Sequence, residues 1–210
     1  MNNFIGNIHY SSNEYEKAAS YYRKAIETNN DYPIYKQNLA DALQLSADEL
    51  VKKGNGADDA KAEELYQSAA NIANTAEAWN NLGNFYYKKE RWQQAIECFD
   101  NAIASNNAEP IYYENRGLVY EKINNIEKTE ESYNKAIELD SKTGRYYNRL
   151  GLFYYNRKEY EKAIKYYLMA LEREPEDPIF LDNICIAYEQ ANQRDKAEPY
   201  YLKLLQKRAG

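Results

Sequence analysis

Histidine, cysteine, proline and glycine are all scarce in this chain: one, two, five and eight among 210 residues. A lone His9 leaves no second imidazole for a paired metal site, and no Cys-x-x-Cys spacing marks a zinc or redox centre. Gly54 and Gly56 are not followed by the further glycine and lysine of a phosphate-binding loop, so they read as a turn. Acid pairs such as Asp58-Asp59 and Glu130-Glu131 fall on polar helix faces and read as solvated. Catalysis has no foothold here, and we expect neither enzyme activity, nor a cofactor, nor a metal. Cys98 and Cys185 stand far apart in the chain and read as buried small residues, which fits a reducing, cytoplasmic setting. No apolar run approaches the roughly 18 residues of a membrane span, and no signal peptide opens the chain. A net charge of −6 argues against a nucleic-acid partner, because phosphate binding needs a basic face.

Tyrosine, by contrast, is abundant, with 23 copies. Their positions follow a rule. In the stretch 76–104, Trp79, Leu82, Gly83 and Tyr86 form one helical stripe, and Ala95, Phe99 and Ala102 form a second. Advancing by 34 residues carries Trp79 onto Tyr113, Tyr147 and Leu181, and Gly83 onto Gly117, Gly151 and Cys185. The same step carries Tyr86 onto Tyr120, Tyr154 and Tyr188, and Phe99 onto Tyr133, Tyr167 and Tyr201. Most tyrosines are therefore packing residues, since a phenol buries a large ring and can leave its hydroxyl at a wet edge.

The period and the Trp-x2-Leu-Gly-x2-Tyr…Ala-x3-Phe pattern resemble those of the tetratricopeptide repeat (TPR) family. The resemblance implies an all-α, right-handed α-solenoid of about six helix-turn-helix repeats, with first helices inside and second helices outside. Its repeats fall at about 1–32, 33–75, 76–109, 110–143, 144–177 and 178–210, forming one TPR domain. Gly83, Gly117 and Gly151 lie where two helices close on each other, opposite Ala95, Thr129 and Ala163; leucine there would overpack the crossing by about 1–3 kcal/mol.

Two repeats depart from the pattern. In the second, Pro33 opens the first helix and Leu39, Ala40 and Leu43 fit the stripe, but Ala62, Tyr66 and Ala69 arrive about ten residues late. We expect a lengthened helix through 46–53 and a turn at 54–56, an insertion spanning 46–56 in all. In the sixth repeat, Pro199 falls within the second helix and should bend it. No polar capping helix follows Leu202, Leu204 and Leu205, and the first repeat lacks its opening turn. These ends are expected either to associate with further copies or to mark a targeting domain cut from a larger protein.

The expected function is non-catalytic protein binding: an extended peptide or partner helix in the concave groove. Taking places two, five, six and nine of each first helix, the lining includes Glu77, Asn80, Asn81 and Asn84, then Ile111, Glu114, Asn115 and Leu118, then Arg145, Asn148, Arg149 and Leu152. Asn38 and Asn183 continue place six. Similarity to TPR co-chaperones implies a clamp for a C-terminal carboxylate, with Asn84, Asn115, Arg145 and Arg149 in four of its places and Asn80 where a lysine would stand. Similarity to the repeats of O-linked N-acetylglucosamine transferase implies instead an asparagine ladder for a peptide backbone. Asn38, Asn81, Asn115 and Asn183 match that ladder, while Phe4 and Arg149 interrupt it. A carboxamide suits the task because it donates and accepts at once.

Overall fold

The computed structural model describes residues 1–29, 32–54 and 56–209, the side chains of 56, 57, 208 and 209 excepted. Among the described residues there are twelve helices and no strand. The first unit, Met1–Asn107, holds α1 (Asn2–Ser11), α2 (Tyr15–Thr28), α3 (Pro33–Lys53), α4 (Gly56–Ala73), α5 (Ala76–Lys88) and α6 (Trp92–Ser105). The second, Ala108–Gly210, holds α7 (Pro110–Lys122), α8 (Ile126–Leu139), α9 (Gly144–Asn156), α10 (Tyr160–Arg173), α11 (Pro178–Gln190) and α12 (Arg194–Ala209). Each odd-numbered helix packs on the even-numbered helix that follows it, giving three hairpins per unit. Within the units, α2 packs on α3, α4 on α5, α8 on α9 and α10 on α11.

Helix starts are written in single residues. Pro33, Pro110 and Pro178 sit in the first turns of α3, α7 and α11, where a missing amide hydrogen costs nothing. Asp177 caps α11 by accepting from the amides of Ile179 (2.8 Å) and Phe180 (3.0 Å). Five of the six hairpin turns share one device. Asn13, Glu90, Asn124, Lys158 and Asn192 all take a left-handed conformation, with φ between 56° and 62°. The next residue's amide then bonds back to the carbonyl of His9, Tyr86, Tyr120, Tyr154 or Tyr188, at 2.8–2.9 Å. That six-to-one bond satisfies a terminal carbonyl that the helix would otherwise leave open.

The helical glycines are read out by rings. A Cβ on Gly6 would lie 2.5 Å from the Tyr22 ring, on Gly83 2.7 Å from Phe99, on Gly117 2.5 Å from Tyr133 and on Gly151 2.6 Å from Tyr167. In each case the ring comes from the partner helix, and all four rings are at most 2% exposed. Absence of a side chain on one helix thus makes the seat for the large side chain of the other. The helix α3 runs unbroken through the inserted segment, burying Ser46, Ala47 and Leu50, and ends at Gly54 with φ 73°. Asn55 of the expected 54–56 turn lies outside the described residues. Helix α12 continues through Pro199.

Two acids read as solvated have partners in the fold, one a tyrosine and one a cation. Glu130 accepts from the Tyr154 hydroxyl (2.9 Å), and Asp59 pairs with Lys89 (2.5 Å). The same logic places Glu121 on the Tyr133 hydroxyl (2.9 Å) and Asn7 on that of Tyr22 (2.9 Å). A buried phenol that lacked such an acceptor would lose its hydration without replacement. His9 packs its ring on Tyr21 at 5.2 Å and meets Glu14 at 2.6 Å. Cys98 and Cys185 are free and buried, and burial pushes their thiols up to about 12 and about 11.

Candidate functional site

The candidate residues all lie on first helices of the hairpins, and their contacts follow a register. In the first unit, Asn38 on α3 donates from Nδ2 to Oδ1 of Asn3 on α1 (3.0 Å). In the second, Asn183 on α11 donates from Nδ2 to Oδ1 of Asn148 on α9 (2.8 Å). Both pairs join place five of one repeat to place six of the next, 35 residues on. Each bond fixes the orientation of a carboxamide while leaving the place-six oxygen with capacity to accept. All four asparagines are half-buried, so the pairs line a surface that solvent reaches.

Arg149 occupies the same register, and here the contact is ionic. Its Nε donates to Oε1 of Glu114 on α7 (3.3 Å). Arg145, one turn earlier on α9, grips the same carboxylate with two bonds: Nε to Oε1 (3.2 Å) and Nη2 to Oε2 (2.5 Å). Glu114 is 0% exposed. A carboxylate so placed would be strongly destabilising without cations on it. Arginine suits the site because its planar fork meets both carboxylate oxygens at once. The arginines themselves stay within reach of solvent, with side chains 54% and 31% exposed. They are therefore partly engaged inside the protein, a fact that reading Glu114 as one more lining residue did not reveal. Nearby, burial and then the Glu114 charge raise the Tyr146 phenol above its usual value.

In the first unit, Asn81 and Asn84 on α5 line a cleft of about 170 Å³ with Gln44 and Asp48 of α3 and Lys88. Asp48 belongs to the lengthened part of α3 and accepts from the Tyr66 hydroxyl. The insertion therefore contributes to the surface on which candidate residues lie. Asn80 is half-buried on α5 and Asn115 half-buried on α7. Of the expected clamp, Asn80 and Asn84 belong to the first unit, and Asn115, Arg145 and Arg149 to the second. Among the described residues no group of three or more histidine, cysteine or acidic side chains could hold a metal ion, and no helix is long and apolar enough to cross a membrane.

Stacked helical hairpins carrying this glycine–ring register define a helical repeat protein, and sequence comparison gives its family. One tetratricopeptide repeat family model matches residues 76–106 and 144–177, and another matches 1–32 and 111–143, together more than half the chain. The chain belongs to the tetratricopeptide repeat family. Among solved structures it is similar to MamA, with 25% identity and a TM-score of 0.65, over 80% of this chain and 91% of that one. It is also similar to BtubC from P. vanneervenii (21% identity, TM-score 0.76, 93% of this chain and 89% of that one). A third is YrrB, a TPR protein with an unusual peptide-binding site (22% identity, TM-score 0.63, 88% and 91%). No curated protein matches the chain significantly.

Proposed function

We propose that this TPR chain is a non-catalytic, cytoplasmic scaffold that holds an extended peptide or partner helix along its first helices, in the concave groove that the family implies. An acidic group of the partner, a C-terminal carboxylate above all, sits at Arg145 and Arg149. One observation carries the reading: contacts between place five and place six recur in both units and hold polar side chains in fixed orientations at a half-exposed surface. Such groups bind without first losing rotamer freedom, which lowers the cost of association. The peptide-binding site of the structurally similar YrrB agrees with this use of the fold. Asn80, Asn81, Asn84 and Asn115 complete the proposed surface, and the buried free thiols fit a reducing compartment.

The test is a titration of an acidic-tailed peptide against variants. Arg149→Ala should weaken it about tenfold, from the loss of a charge-assisted hydrogen bond, and more at low salt than at high. Asn115→Ala should weaken partners of any charge. Unchanged affinity in Arg149→Ala removes the carboxylate reading, and an Asn115→Ala effect confined to acidic partners removes the ladder. A second reading, self-association, is favoured by Leu202 and Leu205 on α12, which are 55% and 60% exposed. A single molecular mass by light scattering across a dilution series would dismiss it.

A further inference from the structure

The acid-binding reading uses Arg145 and Arg149 and leaves Glu114 unassigned, although it is the group both arginines touch. Its carboxylate is buried and held by three hydrogen bonds, and the arginines are accessible. Two cations and one anion leave the trio with a surplus of one positive charge. An arginine has five N–H donors. Glu114 engages two on Arg145 and one on Arg149, so each guanidinium retains donors for a ligand. The surroundings are net acidic, with Glu109 and Asp140 acting on Tyr146 beside Arg145 and Glu121 on Tyr133 beside Arg149, so the trio's own surplus is the most positive charge a ligand can meet there. Arg116, two residues beyond Glu114, donates to Ser132 Oγ (3.3 Å).

We propose that Glu114 is the specificity-determining residue of this site: it holds the surplus charge of the arginine pair at no more than one, so the pair takes a single carboxylate and discriminates against a phosphate group. The proposal rests on the acid-binding reading and goes beyond it. A carboxylate neutralises the surplus. A phosphate monoester, carrying about −1.5 to −2 at neutral pH, overshoots it and sets negative charge beside a buried carboxylate that cannot turn away. The glutamate also presents the two forks in a fixed geometry, which a mobile counter-ion from solution would not do.

Short fluorescent peptides of one sequence test this by anisotropy: a C-terminal amide, a free C-terminal carboxylate, an amide with an interior aspartate, and an amide with an interior phosphoserine. Wild type should bind one or both carboxylate probes about tenfold tighter than the plain amide, and phosphoserine less tightly than the better carboxylate. The stronger of the two carboxylate probes tells a chain terminus from a side chain. Glu114→Gln, nearly isosteric, should shift the phosphoserine-to-carboxylate ratio about tenfold toward phosphoserine. Arg145→Gln, at an exposed position, should abolish the preference for carboxylate over amide. A Glu114→Gln protein that melts cooperatively with an unchanged ratio overturns the role of Glu114 alone. A wild type that fails to distinguish carboxylate from amide overturns the acid-binding reading beneath it. Should Glu114→Gln not fold, the wild type decides: phosphoserine bound more weakly than the better carboxylate supports the charge count, and phosphoserine bound as tightly or more tightly overturns it.

Discussion

Replacing Gly117 by alanine should destabilise the protein, although the same change at an open helical glycine stabilises. The propensity gain in a helix interior is about 1 kcal/mol. Against it stands the Tyr133 ring, 2.5 Å and 2.6 Å from the new Cβ at its two nearest carbons, with Ser132 Cβ at 3.3 Å. That ring has little freedom to swing aside, because it is 1% exposed and its hydroxyl is tied to Glu121 at 2.9 Å. Overpacking of this kind costs about 1–3 kcal/mol, so the net loss should be near 1 kcal/mol. In a chain of this size that lowers Tm by about 2–4 °C. Thermal melts by circular dichroism measure it, and a paired experiment isolates the cause. In a Tyr133→Leu background the ring is gone, and Gly117→Ala should change sign and stabilise. A rise in Tm for Gly117→Ala in the wild type, or no sign change in the paired background, would refute the glycine–ring seat.

Leu204 and Leu205 are neighbours on α12 with opposite fates, 3% and 60% exposed. Leu204→Ala should therefore cost about 2–5 kcal/mol and Leu205→Ala less than about 0.5 kcal/mol, as read by urea denaturation. Burial, then the Glu63 carboxylate, pushes the Tyr86 phenol up to about 12. The unfolded chain releases that proton near pH 10, so the contribution is whole below about pH 10 and disappears as pH rises toward 12. Stability measured across that window should fall less steeply in Tyr86→Phe than in wild type.

How much of this is legible in the sequence depends on the distance over which a residue acts. The 34-residue recurrence of Gly83 and Phe99 is a local pattern, and it was enough for the helices and for the close approach at each glycine. It places Ala95, Thr129 and Ala163 opposite the glycines, and the Ala163 carbonyl does lie 3.3 Å from a Cβ on Gly151, but the nearest atoms are those of the Phe99, Tyr133 and Tyr167 rings, sixteen residues after each glycine. The left-handed turns are only partly marked: Asn13, Asn124 and Asn192 carry a residue that favours them, whereas Glu90 and Lys158 adopt them without glycine or asparagine. Glu114 reads as polar lining in the sequence because place five is Asn80 in the preceding repeat and Asn148 in the next. Its burial depends on α9, 31 and 35 residues on. A signal was present all the same: place five pairs with place six one repeat later, and only at Glu114 and Arg149 do the two carry opposite charges. Asn3–Asn38 and Asn148–Asn183 obey the same offset. The part played by the inserted turns of α3 had no such marker, since Asp48 meets Tyr66 through a helix whose length breaks the period.

The most direct test of a binding surface on the first helices is to follow side-chain amide resonances by NMR while titrating a peptide with a free C-terminal carboxylate. Asn148 and Asn183 should shift together with the Arg145 and Arg149 Nε–H signals, and Glu114→Gln should alter those shifts. Movement confined to residues of second helices, such as Gln93 on α6 or Lys165 on α10, with the asparagine and arginine signals unmoved, would contradict a first-helix site.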